Sequence, residues 1–223
     1  MRISQIHQQT PFAVSFELFP PKTPETMAKL FDEELPALAA LNPSFMTCTY
    51  GAGGSTRGAT LDIVTRIAGD HGLPTASHLT CVGASKAEIG EFLDEAKSKG
   101  IQNIVALRGD PPKGDTTFKP HPDGFHYANE LIAYISDRGD FDIAVAGYPE
   151  GHPESESKER DWQRCAEKVK AGGQIVITQL FYDNRDFFAF SDYLKNKLGV
   201  AVPIVPGRSS DSVRCEAQNY RSR

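Results

Sequence analysis

Polar residues of catalytic type stand at the ends of short apolar runs in this sequence. They are Glu17, Thr49-Tyr50, His78, Arg108-Gly109-Asp110, Tyr148 with His152, and Gln179. One such residue alone is an ordinary solvated turn, but a series is what parallel strands produce when their carboxyl ends share one face. Glu17 and Asp110 could serve as acid and base, as a carboxylate pair does in glycoside hydrolysis without a cofactor. The glycine-rich turn Gly51 to Thr56, placed before a helix, offers open backbone N–H groups to a phosphate. With His78, Arg108, His152 and Lys168 it would suit a diphosphate-bearing cofactor, although spacing alone does not name one. No lysine ends a strand, which argues against Schiff-base chemistry, and no H-x-H pair or Asp/Glu/His cluster offers a metal cage.

The elements that must position these residues alternate along the chain. Strands are predicted at 14–19, 45–50, 75–82, from 104 to the Arg108-Gly109-Asp110 terminus, 141–147, 174–179 and 202–207, each followed by a stretch of helical periodicity. In the first strand Val14, Phe16 and Leu18 take one face and Ser15, Glu17 and Phe19 the other, so Glu17 leaves on the side opposite the main apolar stripe. Thr23 with Pro24, and Ser85, read as helix starts, and Gly100 as a helix end. The long Pro/Gly connection from Pro111 to Phe125 reads as a binding loop or lid. Residues 1–10 read as a short polar arm.

The strand ends Glu17, Thr49, His78, Arg108, Tyr148, Gln179 and Pro206 are spaced by 27 to 40 residues. That period, without a strand-order break or a dinucleotide glycine fingerprint, favours a (β/α)8 TIM-type barrel over a doubly wound sheet. About seven strands are present. After Gly207, residues 208–223 show no apolar periodicity, so the eighth βα unit is expected to be missing. The expected organisation is an incomplete barrel over 1–207 and a disordered polar tail over 208–223. Truncation or a frameshift would produce such a tail, and a non-catalytic fragment is the alternative outcome.

The chain has 223 residues, 39% hydrophobic and 24% charged, with a formal net charge of -5. This composition is that of one ordinary globular domain, and the charge argues against nucleic acid or an anionic membrane as partner. The N-terminus lacks a signal-peptide core and no apolar run reaches membrane-spanning length, which makes the cytoplasm the default location. Cys48, Cys81, Cys165 and Cys215 form no C-x-x-C pair and read as reduced thiols used as small hydrophobes. A homo-oligomer is compatible with this composition.

Seven blocks resemble the methylenetetrahydrofolate reductase family in order and separation. They are Phe16-Glu17-Leu18-Phe19-Pro20-Pro21-Lys22-Thr23, Thr49-Tyr50-Gly51-Ala52-Gly53, His78-Leu79-Thr80-Cys81, and Ala106-Leu107-Arg108-Gly109-Asp110. The others are Tyr148-Pro149-Glu150 with His152-Pro153-Glu154, Thr178-Gln179 with Phe181, and Val205-Pro206-Gly207. The resemblance covers about residues 12 to 207. It implies a flavin barrel in which NADH or NADPH reduces FAD, and the reduced flavin passes a hydride to 5,10-methylenetetrahydrofolate, giving 5-methyltetrahydrofolate by a ping-pong sequence.

Residue by residue, it implies that Glu17 is the general acid that protonates the folate nitrogen, and that Asp110 lies between flavin and folate. Gln179 is implied as a substrate ligand. Thr49, Tyr50, Ala52, His78, Arg108, Gly109, Asp110, Tyr127, Ala128, Tyr148, His152, Asp161 and Lys168 fall where the family contacts FAD. No metal is implied. Gly58-Ala59 departs from the acidic-basic pair usual in the family after the Thr56-Arg57 position.

Overall fold

In the computed structural model the structure describes residues 1–10, 12–50, 57–110 and 118–208. Seven parallel strands form one sheet in the order β1-β2-β3-β4-β5-β6-β7. They are β1 (Ser15–Leu18), β2 (Phe45–Cys48), β3 (Thr75–Thr80), β4 (Asn103–Leu107), β5 (Asp142–Gly147), β6 (Ile175–Thr178) and β7 (Ile204–Val205). Between them run α2 (Pro24–Lys29), which passes through a π turn (Leu30–Glu34) into α3 (Leu35–Ala39), then α4 (Arg57–His71), α5 (Lys86–Ser98), α6 (Ala128–Arg138), α7 (Lys158–Lys170) and α8 (Asn184–Asp192), which ends in a second π turn (Tyr193–Lys197). Strand neighbours in sequence are neighbours in space, the order of an α/β TIM-type barrel, with β1 and β7 at the two edges among the described residues.

The caps follow local chemistry. Thr23 Oγ1 accepts the Thr26 N–H at 3.3 Å ahead of Pro24. Ser85 Oγ accepts the Glu88 N–H at 3.2 Å while the Glu88 carboxylate accepts the Ser85 N–H at 2.8 Å, a reciprocal box that satisfies two donors at the helix start. α5 closes at Gly100, which adopts φ +77°.

The core has two parts, separated by strand alternation. Leu18, Met46, Cys48, Leu79, Ile104, Ala106, Ile143, Val145 and Val176 face the helices in the larger cluster. Phe45, Ala76, Val105, Ala144 and Ile175, one from each of β2 to β6, point the other way and pack with Ile3 and Ile6. This second cluster is the floor of the barrel interior.

Ile3 and Ile6 belong to α1 (Ile3–Gln9), and here the expected polar arm is corrected. The segment is a helix that plugs the amino-terminal end of the barrel. Asn103 Oδ1 accepts the Ile3 N–H at 2.9 Å and Asp142 Oδ2 accepts the Ser4 N–H at 2.7 Å, so two side chains paired across β4 and β5 hold the helix start. Asn103 Nδ2 also donates to the carbonyls of Met1 and Thr75. Two isoleucines on one helical face make α1 adhere, and buried hydrogen bonds fix its depth.

Cys48, Cys81 and Cys165 are free and buried, as read from the sequence, and Cys215 lies outside the described residues. The stretch Gly51 to Thr56, the first part of the Pro111 to Phe125 loop through residue 117, and residues 209–223 also lie outside them. From Phe118 on, the long loop is fastened to the start of α5: the Lys86 N–H donates to Asp123 O at 2.9 Å, and Ser85 bridges to Gly124.

Candidate active site

Glu17 occupies the inner face of β1 because Phe16 and Leu18 on either side pack outward against the helices. In register it pairs with Thr47 of β2. Two residues along β3 from the floor residue Ala76, His78 also points inward and is only 6% exposed. Its Nε2 lies 3.6 Å from Glu17 Oε2, a contact across β2 that joins the first and third strands.

Burial sets the acidities here. It lowers His78 to about 4, so the ring is neutral at physiological pH. It raises Glu17 above the ordinary carboxyl value, although 47% of that side chain remains open to the barrel mouth. Cys48, next door on β2, is pushed up to about 12 by burial and by the Glu17 charge, and stays a thiol. His78 Nε2, Thr47 Oγ1 and Thr80 Oγ1 are buried without a hydrogen-bond partner among the described residues.

Across the mouth, β4 ends in Arg108-Gly109-Asp110. Gly109 adopts φ +89°, and a Cβ there would meet Val82 Cγ1 at 2.7 Å and Thr80 Cβ at 2.9 Å, so glycine is required at this turn. The Arg108 guanidinium forms a bidentate pair with Glu154 and lies 5.0 Å from the Phe118 ring centroid. Asp110 is exposed beside it. The β5 end carries Tyr148, whose ring meets His152 edge-on at 4.8 Å, while the Tyr148 carbonyl accepts the Trp162 Nε1–H at 3.1 Å. Asp161, buried in the first turn of α7, accepts the His152 backbone N–H; burial raises its pKa above the usual carboxylate value. Lys168, two turns further along α7, donates Nζ to the Ala146 carbonyl.

The strand ends therefore gather Glu17, His78, Arg108, Gly109 and Asp110 with Thr49 and Tyr50 at one end of the sheet. Tyr148, His152, Asp161 and Lys168 form the adjoining wall. Gln179 is exposed at the end of β6, its N–H bonded to Gly147 O at 2.7 Å. Tyr127, 64% exposed, stands at the start of α6 beside Ala128. Ala52 lies outside the described residues. Sequence reasoning passed over Thr47, Thr80 and Phe118, and gave Glu154 no role. Thr47 and Thr80 were legible in principle, because each stands at an inward position of its strand.

The sequence model of the family described as methylenetetrahydrofolate reductase matches residues 2–208. The chain belongs to this family. It is 40% identical to methylenetetrahydrofolate reductase (NADH) 1 of Arabidopsis thaliana over 92% of this chain and 36% of that protein. It is also 40% identical to 5,10-methylenetetrahydrofolate reductase of Escherichia coli (strain K12) over 87% of this chain and 63% of that enzyme. The chain thus spans about a third of the length of the plant relatives and under two thirds of the bacterial one.

Among solved structures, a Clostridium thermocellum protein described as binding two copies of 5-methyl-5,6,7,8-tetrahydrofolic acid aligns with a TM-score of 0.60 at 15% identity. The alignment covers 92% of this chain and 69% of that one. Oxaloacetate acetylhydrolase aligns with a TM-score of 0.60 at 11% identity, over 99% of this chain and 84% of that one. These likenesses establish the barrel fold.

In this member of the family the chemical content of the mouth falls into two halves. The β1 to β3 side offers a carboxyl, a neutral imidazole and two unpartnered hydroxyls inside an otherwise apolar wall. The β4 to β6 side offers two cations, Arg108 and Lys168, with a histidine between carboxylates. Among the described residues no group of three His, Cys, Asp or Glu could hold a metal ion, and no helix is long and apolar enough to cross a membrane.

Proposed function

We propose that this chain carries the flavin barrel of a reductase that converts 5,10-methylenetetrahydrofolate to 5-methyltetrahydrofolate with NADH or NADPH as reductant. The proposal treats residues 1–207 as the barrel and 208–223 as an appended polar segment. The observation that carries it is the pairing of Glu17 with a neutral, buried His78 at the mouth of a barrel belonging to this family. The family resemblance supplies FAD, and the residues present fit it. Among the described residues, the unpartnered Thr47 Oγ1 and Thr80 Oγ1 suit the polar edge of a flat ring, and Arg108 and Lys168 suit its diphosphate. When bound, the flavin supplies two-electron hydride chemistry.

The roles of the chain's own groups follow from their surroundings. Burial favours the protonated form of Glu17 and one side of it is open, which places it to deliver a proton to the leaving nitrogen of the folate bridge, opening that bridge to an electrophilic iminium. Asp110, at the rim beyond the Gly109 turn, is assigned to contact both flavin and folate. Gln179, across the mouth, offers an amide to the folate ring. Arg108, Lys168 and His152 orient the phosphates, with Thr49, Tyr50, Ala52, Gly109, Tyr127, Ala128, Tyr148 and Asp161 as further cofactor contacts. The names of the plant relatives specify NADH, which favours NADH here.

The decisive experiment is spectroscopic. The purified chain should be yellow, NADH or NADPH should bleach it, and 5,10-methylenetetrahydrofolate should restore the colour. A well-folded, colourless chain that takes up no added FAD would refute the proposal.

A further inference from the structure

His78 Nε2 is a buried ring nitrogen without a hydrogen-bond partner, and such an atom costs free energy unless a neighbour or ligand uses it. The polar atom it faces is Glu17 Oε2 at 3.6 Å, reached over the inner side of β2. We propose that His78 is the positioning residue of the Glu17 acid: its Nε2 accepts a hydrogen bond from the Glu17 carboxyl O–H, fixing that group in the mouth and leaving the transferable proton on Glu17. This inference rests on the reading of Glu17 as the acid.

In water an imidazole holds a proton more tightly than a carboxyl, and a histidine beside a glutamate would become a cation and strip the acid of its proton. Inside this barrel the order moves the other way. Burial takes His78 from 6.5 to about 4 and raises Glu17 from 4.5. Cys48 of β2, whose thiol feels the Glu17 charge from the helix-facing side of the strand, stays uncharged, and among the described residues no cation contributes to the shift of Glu17 or of His78. A proton shared by the pair therefore resides on oxygen. During turnover the Glu17 O–H bond breaks and an N–H bond forms on the substrate. The carboxylate left behind faces a neutral ring, so nothing beside it opposes its reprotonation from solvent through the open mouth.

The test is a titration of the full cofactor-free chain with glutamate labelled by 13C at the side-chain carboxyl, read by NMR, with Glu17→Gln identifying the signal. In the natural sequence the Glu17 midpoint lies above 4.5 and the His78 ring signal titrates below it. His78→Ala admits water and returns the Glu17 midpoint toward the ordinary value. His78→Gln, whose amide oxygen accepts the same proton, keeps most of the elevation. In the flavin-loaded chain, His78→Ala lowers kcat of folate reduction roughly tenfold or more and shifts its pH profile to the acid side, and His78→Gln restores both.

A His78 that titrates above Glu17 in the natural sequence, or a Glu17 midpoint indifferent to His78, overturns the inference. The first result needs no variant to fold. Failure of the folate reading would instead appear as absent turnover in a chain whose Glu17 and His78 midpoints are as described.

Discussion

Glu154 receives both terminal nitrogens of Arg108, Nη1 to Oε2 at 2.7 Å and Nη2 to Oε1 at 3.0 Å. The pair ties the end of β4 to the loop between β5 and α7, and the Phe118 ring beneath the guanidinium adds a second constraint. Glu154 is over half exposed, so the pair contributes under about 1 kcal/mol to stability. Its value lies in orientation: the guanidinium plane is set before any anion arrives.

Arg108→Lys is expected to weaken FAD binding roughly tenfold while moving the urea midpoint by less than about 1 kcal/mol of stability, because an ammonium keeps the charge and loses the fork. Flavin titration alongside denaturation separates the two quantities. Equal loss of both would assign Arg108 to the fold instead of the cofactor.

Glu17→Gln is expected to reduce the folate step by roughly 10² to 10⁴ and the flavin-reduction step far less, because only the former needs a proton on the bridge nitrogen. Stopped-flow measurement of the two half-reactions decides it. Parallel loss would show that Glu17 serves the barrel and not the acid step.

Stability should fall in mild acid. His78 has a folded pKa of about 4 against 6.5 for the free group, so the unfolded chain binds the proton more tightly between those values. The contribution is complete above pH 6.5 and is lost as pH falls toward 4, up to about 3 kcal/mol. Glu17 has the opposite sign: its raised pKa favours the folded state below 4.5 and loses that advantage as pH rises through the folded value. Urea denaturation at pH 7 and pH 4.5 should show the loss, and His78→Gln should flatten it. An equally steep acid limb in His78→Gln would place the effect on other groups.

Gly109→Ala is expected to destabilise the chain by about 1–3 kcal/mol and to displace Arg108 and Asp110. The new methyl meets Val82 and Thr80 within 3.0 Å at a left-handed φ. Thermal denaturation and the FAD dissociation constant should worsen together. A neutral substitution would mean that the turn relaxes freely.

The strands were legible because each is a short apolar run closed by a polar residue, and every predicted strand is present, most of them shorter than read, with β4 starting one residue earlier, at Asn103. Glu17 could be placed on the inner face by alternation alone, from Phe16 and Leu18. Its proximity to His78 could not, because a contact across β2 depends on how the sheet curves and on two side-chain rotamers. α1 was hidden for a different reason: with Ile3 and Ile6 as its apolar residues among polar neighbours, it has too little periodicity to read. What makes it a helix is the floor it plugs and the side chains of Asn103 and Asp142, a hundred or more positions away.

The anchoring of α1 has a consequence for how the molecule is made. Asn103 and Asp142 lie a hundred or more positions after α1 and pair across β4 and β5, so α1 docks on strands that have already come together. A docked α1 thus reports that the two middle strands have paired in register.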